Sequence, residues 1–104
     1  MKIETKCLHS GYQPKNGEPS VMPIVQSTTY RFDSCDHVAE LFDKPTEFMY
    51  SRFANPTCEC VEKKIADLEG GVGCMLTSSG QAASLLSVLN LCSAGDSFIA
   101  SSSI

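Results

Sequence analysis

One stretch, residues 49–57 with the sequence MYSRFANPT, divides the chain into two parts of different character. A turn-rich segment with little periodicity precedes it, and regular helical and strand patterns follow it. Asn55 is a favoured residue for capping a helix N-terminus, and Pro56 suits the first helical position because its missing N–H group would have no intrahelical partner there. The stretch therefore predicts a helix that begins at Pro56, with a phenol (Tyr50) and a cation (Arg52) placed just before it.

The second part of the chain alternates helical and strand patterns. Apolar residues recur at helical spacing after Pro56, and Gly70-Gly71 is typical of a helix C-terminus. A short apolar run bounded by turn signals, Gly73–Thr77, predicts a buried strand. The uncharged segment Gln81–Cys92 predicts a largely buried helix, a turn follows at residues 94–96, and a second strand begins at Phe98. This order favours an α/β fold with a parallel sheet.

The first part, residues 1–34, is rich in proline and glycine and has a turn signal at Lys15–Glu18. Residues Asp33-Ser34 can cap a short helix, Asp36–Phe42, and residues 47–53 are expected to form an exposed connection. Two interpretations of the first part remain open: a disordered leader, or an arm that packs on a partner subunit. The apolar content of residues 21–32 favours the arm.

Composition excludes several classes of protein. The net charge of −4 argues against a non-specific nucleic-acid binder, and no apolar run approaches the length of a membrane span. The N-terminus lacks an apolar export signal, so we expect a cytoplasmic protein. The six cysteines are therefore expected to be free thiols, buried or incidental. A zinc site is the weaker alternative, because Cys58 and Cys60, which it would combine with Cys7 and His9, are too close in sequence for a typical zinc pair.

Two short segments have residues suited to binding an anion. Thr77-Ser78-Ser79-Gly80-Gln81 lies between the predicted strand and the next helix, where free N–H groups and a glycine would allow a phosphate to approach. The alternative is an ordinary serine cap with a glycine turn. Tyr50 and Arg52 would point the same way in an extended segment and could hold phosphate oxygens. The alternative there is a surface arginine beside a half-buried tyrosine.

Several ordered motifs resemble the Cys/Met-metabolism family of pyridoxal-phosphate enzymes. The motif YSRFANPT at residues 50–57 is similar to the family signature Y-S-R-x-x-N-P-T. Four further segments resemble the family's opening, its P-I-x-x-T-S-T-x segment, its A-x-L-E-G-G helix end and its S-G-M-A-A phosphate loop: residues 5–12, 23–30, 65–71 and 79–83. The resemblance implies the N-terminal part of a fold-type I transferase. Residues 1–54 would be an arm on the partner subunit, and residues 55–104 would begin the large, mostly parallel-sheet domain.

The resemblance also implies roles for individual residues. Ser79, together with the N–H groups of Gly80 and Gln81, would hold the phosphate of pyridoxal 5′-phosphate in the same subunit. Tyr50 and Arg52 would reach the cofactor of a neighbouring subunit in a homo-oligomer, a dimer of dimers. Gln81 replaces the methionine usual in the family, and a backbone contact makes that change mild. No catalytic residue and no metal ligand is expected in these residues.

The implied activity is replacement of the acetate of O-acetylhomoserine by a sulfur nucleophile, with methionine γ-lyase or cystathionine γ-synthase or lyase activity of the same family as alternatives. The family's ring-stacking tyrosine, its Schiff-base lysine and its substrate-carboxylate arginine would follow Ile104, so we expect the 104 residues to be inactive alone. The two predicted strands would then lack neighbours. A different class of function, a non-catalytic module that binds such an enzyme, also remains open.

Overall fold

The computed structural model describes residues 1–103. These residues form four helices: α1 (Ile3–His9), α2 (Cys35–Asp43), α3 (Pro56–Glu69) and α4 (Gly80–Leu91). The β contact in this part of the chain is an isolated antiparallel bridge between Thr29 and Tyr50. Contacts between Cα atoms divide the chain into one unit, Met1–Cys74, and a second that begins at Met75.

Helices α2 and α3 begin where their capping residues predict. The Ser34 hydroxyl oxygen accepts a hydrogen bond from the N–H of His37 at 3.2 Å, and the Asn55 side-chain oxygen accepts one from the N–H of Thr57 at 2.9 Å. Pro56 occupies the first helical position of α3, and Gly70 ends the helix in the left-handed conformation. The predicted capping pattern of α3 is therefore confirmed at both ends.

Helix α1 was not predicted, because residues 1–34 show no helical periodicity. Its structure depends on contacts with α3, between residues that lie 57 to 61 positions apart in the sequence. The ammonium group of Lys6 lies 2.8 Å from a carboxylate oxygen of Asp67, and the Ser10 hydroxyl donates to the same carboxylate. Lys64 donates to the carbonyl oxygen of Cys7 at 3.0 Å. A seven-residue helix is marginal in isolation, so these tertiary contacts account for it.

In the first unit, aromatic side chains of α2 and of the segment before α3 contact one another. Leu41 is 2% exposed and is the buried apolar side chain among the described residues. The rings of Phe42 and Tyr50 each lie edge-on to Phe53, with centroids 6.5 and 6.1 Å apart. Residues 47–53, expected to be an exposed connection, are exposed at positions 47, 52 and 53 and half-buried at positions 48–51. The cause is that Tyr50 is bridged to Thr29 rather than extended into solvent.

The second unit contains α4 and a turn. The helix spans Gly80–Leu91, within one residue of the prediction at each end, and the N–H of Asp96 donates to the carbonyl oxygen of Ser93 at 3.0 Å in the predicted turn. The expected burial of α4 is wrong: Leu85 and Leu89 are about 60% exposed. Within the described residues of this unit, no second helix or strand packs over these side chains.

Neither predicted strand, Gly73–Thr77 nor the segment from Phe98, is assigned to a sheet in residues 1–103. A strand is defined by hydrogen bonds to a neighbouring strand, and the described residues supply none for either segment. The helices of the α/β prediction are thus present, while its parallel sheet stays a prediction.

Candidate functional site

The first candidate region is the turn formed by residues 50–54. The carbonyl oxygen of Tyr50 accepts hydrogen bonds from the N–H groups of Phe53 and Ala54, at 3.0 and 3.1 Å. The N–H of Ser51 donates to the carbonyl oxygen of Thr28 at 2.9 Å, beside the bridge between Thr29 and Tyr50. The segment is therefore a turn anchored to residues 27–29, and not the extended segment considered for Tyr50 and Arg52.

In this turn the side chains of Tyr50 and Arg52 contact each other directly, whereas the prediction had them point the same way along an extended segment. The Arg52 guanidinium carbon lies 4.9 Å from the centre of the Tyr50 ring and 5.8 Å from the centre of the Phe53 ring. Such cation–π contacts orient a guanidinium without neutralising its charge. Arg52 is exposed, and no carboxylate pairs with it among residues 1–103. Its hydrogen-bond donors are therefore available to an external anion.

Asn55, 9% exposed, connects this turn to the chain before it. Its side-chain nitrogen donates to the carbonyl oxygen of Val25 at 3.1 Å and to the hydroxyl oxygen of Ser51 at 2.9 Å. Ser51 in turn donates its hydroxyl proton to the carbonyl oxygen of Ser27. Sequence reasoning assigned Asn55 only the capping of α3. Its bond to Val25 joins positions thirty residues apart, so no local sequence pattern could have revealed it.

The second candidate region is the N-terminus of α4. Ser79 has an extended backbone, and its hydroxyl oxygen accepts from the N–H of Ala82 at 3.1 Å. The N–H groups of Gly80 and Gln81, in the first turn of the helix, have no intrahelical acceptor. A Cβ added at Gly80 would meet nothing within 4 Å, so the space beside the Gly80 backbone is open. The serine-cap alternative considered for this segment is therefore present, and it leaves two backbone donors unused by the helix.

Each region by itself fits a phosphate group. The α4 N-terminus offers two backbone donors in the positive end of the helix dipole, and the Ser79 hydroxyl still has a proton to donate. Arg52 offers a guanidinium with the planar fork that matches phosphate oxygens.

The structure gives no comparable arrangement for a metal ion. Among residues 1–103, no group of three or more His, Cys, Asp or Glu side chains is placed to hold one, and the six cysteines are unpaired thiols, none of them fully buried. In the same range, no helix is both long and apolar enough to cross a membrane.

Comparison with known proteins identifies the class. Residues 4–104 match the family model described as Cys/Met metabolism PLP-dependent enzyme, where PLP is pyridoxal 5′-phosphate. The chain therefore belongs to this family.

Individual relatives define the similarity further. The chain is 44% identical to the O-acetyl-L-homoserine sulfhydrylase of Leptospira meyeri over 99% of its length, and 42% identical to O-acetyl-L-homoserine sulfhydrylase 1 of Thermus thermophilus over 95%. A solved structure from Campylobacter jejuni, assigned as an O-acetylhomoserine (thiol)-lyase and containing a pyridoxyl-lysine phosphate, matches 92% of the chain with a TM-score of 0.79 and 34% identity. The chain spans about a quarter, 24%, of the length of each of these three proteins.

Proposed function

We propose that this chain forms part of a PLP-dependent O-acetylhomoserine sulfhydrylase, which replaces the acetate of O-acetylhomoserine with sulfide or a thiol. The products would be homocysteine or methionine, together with acetate. The observation that carries the proposal is the 42–44% identity to proteins named O-acetyl-L-homoserine sulfhydrylase across nearly all of the chain. The fold of the whole protein would be fold type I, with the segments at residues 73–77 and from Phe98 as strands of its parallel sheet.

Within that enzyme, the α4 N-terminus would bind the cofactor phosphate of its own subunit. The N–H groups of Gly80 and Gln81 would each donate to a phosphate oxygen, and the Ser79 hydroxyl would donate its free proton. The open space around Gly80 supports this role, because the phosphate must approach the backbone closely. The exposed side chain of Gln81 is consistent with a contact that uses only its backbone.

Tyr50 and Arg52 would bind the phosphate of the cofactor in a neighbouring subunit of a homo-oligomer. Residues 1–54 would form the arm that delivers them. The unpaired charge of Arg52 and its stacking on Tyr50 support this role, since both keep the guanidinium oriented and free to bind. Bound PLP supplies an electron sink for reactions of the amino-acid substrate, while these residues fix where its phosphate sits. A cytoplasmic location stays a prediction.

The role of Arg52 is tested in the full-length protein by Arg52→Ala, with Arg31→Ala as control, because Arg31 and Arg52 are the two arginines of the chain. A charge-assisted contact to phosphate contributes about 1.5–3 kcal/mol, so Arg52→Ala should weaken PLP binding by about 10- to 150-fold. Arg31→Ala should leave the dissociation constant of PLP unchanged. Equal dissociation constants for both variants would reject the assignment of Arg52.

The reaction is tested by measuring acetate release from O-acetylhomoserine with and without sulfide. A sulfhydrylase should require both substrates and form homocysteine. Cleavage of methionine or cystathionine without O-acetylhomoserine would assign one of the lyases instead, and formation of cystathionine from cysteine would assign a cystathionine synthase. A full-length protein that bound no PLP and turned over none of these substrates would favour the non-catalytic module.

A further inference from the structure

Asn55 makes more hydrogen bonds than helix capping requires. Its side-chain oxygen caps α3 through the N–H of Thr57, and this single contact accounts for the residue's capping role. Its side-chain nitrogen makes two further bonds, to the carbonyl oxygen of Val25 and to the hydroxyl oxygen of Ser51. Ser and Asp cap helices as well as Asn does, but neither has a side-chain N–H group to donate. The two bonds from nitrogen are therefore specific to asparagine.

The contact with Ser51 leads directly to the residues proposed to bind phosphate. Ser51 stands between Tyr50 and Arg52 in the sequence. Its backbone N–H bonds to Thr28, its hydroxyl donates to Ser27, and the same hydroxyl accepts from Asn55. Three hydrogen bonds thus fix the central residue of the Tyr50–Arg52 segment from two sides. The direction of the Arg52 side chain depends on that backbone being held.

Thr57 secures the other side of the same arrangement. Its hydroxyl oxygen accepts from the N–H of Val25 at 2.9 Å and donates to the carbonyl oxygen of Pro23 at 3.2 Å. Residues 23–29 are therefore attached to the first turn of α3 through Thr57 and Asn55, and the Arg52 turn is attached to residues 27–29. Helix α3 is the rigid element from which the whole arrangement is built.

We infer that Asn55 is a positioning residue for Arg52 and Tyr50: its side-chain nitrogen, acting through Ser51, holds their turn in the geometry that meets the cofactor phosphate. This inference rests on the proposed function of Arg52. This role is additional to helix capping. The oxygen and the nitrogen of the Asn55 amide group then serve different purposes. The oxygen stabilises α3, and the nitrogen orients the phosphate-binding turn.

The test uses Asn55→Asp in the full-length protein. Aspartate keeps an oxygen to cap α3 and removes both donated hydrogen bonds. Ser51→Ala removes the link from the other side without touching the cap. Ser34→Ala is the control, because within residues 1–103 the Ser34 hydroxyl caps α2 through the N–H of His37 and makes no bond to the Arg52 turn. The measurements are the dissociation constant of PLP, the helical circular dichroism signal, and the same constants in double variants with Arg52→Ala.

Asn55→Asp and Ser51→Ala should each weaken PLP binding by about tenfold while the helical signal is retained. Each should weaken it by a clearly smaller factor when Arg52 is already alanine, because one of the two positioned groups is then absent. Ser34→Ala should leave PLP binding unchanged.

Different failures have different meanings. If Arg52→Ala leaves PLP binding unchanged, the proposed role of Arg52 is wrong and this inference falls with it. If Arg52→Ala weakens binding but Asn55→Asp and Ser51→Ala do not, only the inference is overturned. Independent, multiplying effects of Asn55→Asp and Arg52→Ala would also overturn it, since they would show that Asn55 acts by another route. Loss of the helical signal in Asn55→Asp would leave Ser51→Ala to decide between these outcomes.

Discussion

Gly11 allows α1 to lie directly against α3, and its replacement by alanine should disturb that contact. Gly11 has a φ of +89°, and a Cβ built on it would lie less than 3.0 Å from the carbonyl oxygen of Cys60 in α3 and 3.1 Å from the Cβ of Lys64. Gly17 has nearly the same φ, +86°, but a Cβ there would meet nothing within 4 Å. The two glycines thus differ in the space around them and not in backbone conformation.

The comparison of Gly11→Ala with Gly17→Ala therefore isolates the steric cost. Left-handed backbone costs alanine about 1–2 kcal/mol at either position. Forcing extra volume into a packed contact adds about 1–3 kcal/mol at Gly11. We expect Gly17→Ala to cost about 1–2 kcal/mol and Gly11→Ala about 2–5 kcal/mol. The additional cost should appear as opening of α1, because moving α1 away from α3 relieves the clash of the added methyl group.

Amide hydrogen exchange in the full-length protein measures this opening locally. The amides of α1 should exchange faster in Gly11→Ala by roughly the factor that corresponds to the extra 1–3 kcal/mol, about 5- to 150-fold. Gly17→Ala should leave α1 exchange unchanged. Equal exchange rates of α1 in the two variants would refute the reasoning, because they would show that α1 does not depend on its fit against α3.

Two further predictions concern charge and backbone donors. Hydrogen bonds from Lys6 and Ser10 hold the pKa of Asp67 below its ordinary value of 3.8. The ionised Asp67 carboxylate therefore stabilises the α1–α3 contact above pH 3.8, and this stabilisation is lost as the pH falls through the lowered pKa. Exchange of α1, corrected for intrinsic rates, should rise below about pH 4, and Asp67→Asn should abolish this step; a step of equal size in that variant would exclude Asp67. Gly80→Pro should weaken PLP binding more than Gly80→Ala, because proline removes the N–H and alanine keeps it. Proline is compatible with the first position of α4 and with the extended backbone of Ser79 before it. Equal PLP dissociation constants in the two variants would argue against a phosphate contact at that N–H.

The sequence predicts best those features that are set by a few adjacent residues. The start of α3 follows from Asn55-Pro56, its end from Gly70, and the start of α4 from Ser79, because caps and turns act over one helical turn. The family also follows from the sequence, since its motifs are short and ordered.

Features that depend on distant residues were missed. Helix α1 requires Lys6 to meet Asp67, sixty-one positions away, and no local pattern encodes that pair. The second role of Asn55 likewise requires Val25 to lie beside it, thirty positions away. The burial of α4 was inferred from its apolar composition alone, but burial requires a neighbouring element as well, and the described residues of its unit provide none. The two predicted strands likewise require a neighbouring strand to pair with.

The attachment of residues 23–27 to α3 has a consequence for how this chain tolerates substitution. Asn55, Ser51 and Thr57 contribute side-chain atoms, whereas Pro23, Val25 and Ser27 contribute main-chain atoms. Nearly any amino acid provides the same carbonyl oxygens, and any except proline provides the N–H of position 25, so positions 23, 25 and 27 can vary while the arrangement survives. The side-chain partners are not interchangeable in this way, and mutational scanning should find intolerance concentrated at positions 51, 55 and 57.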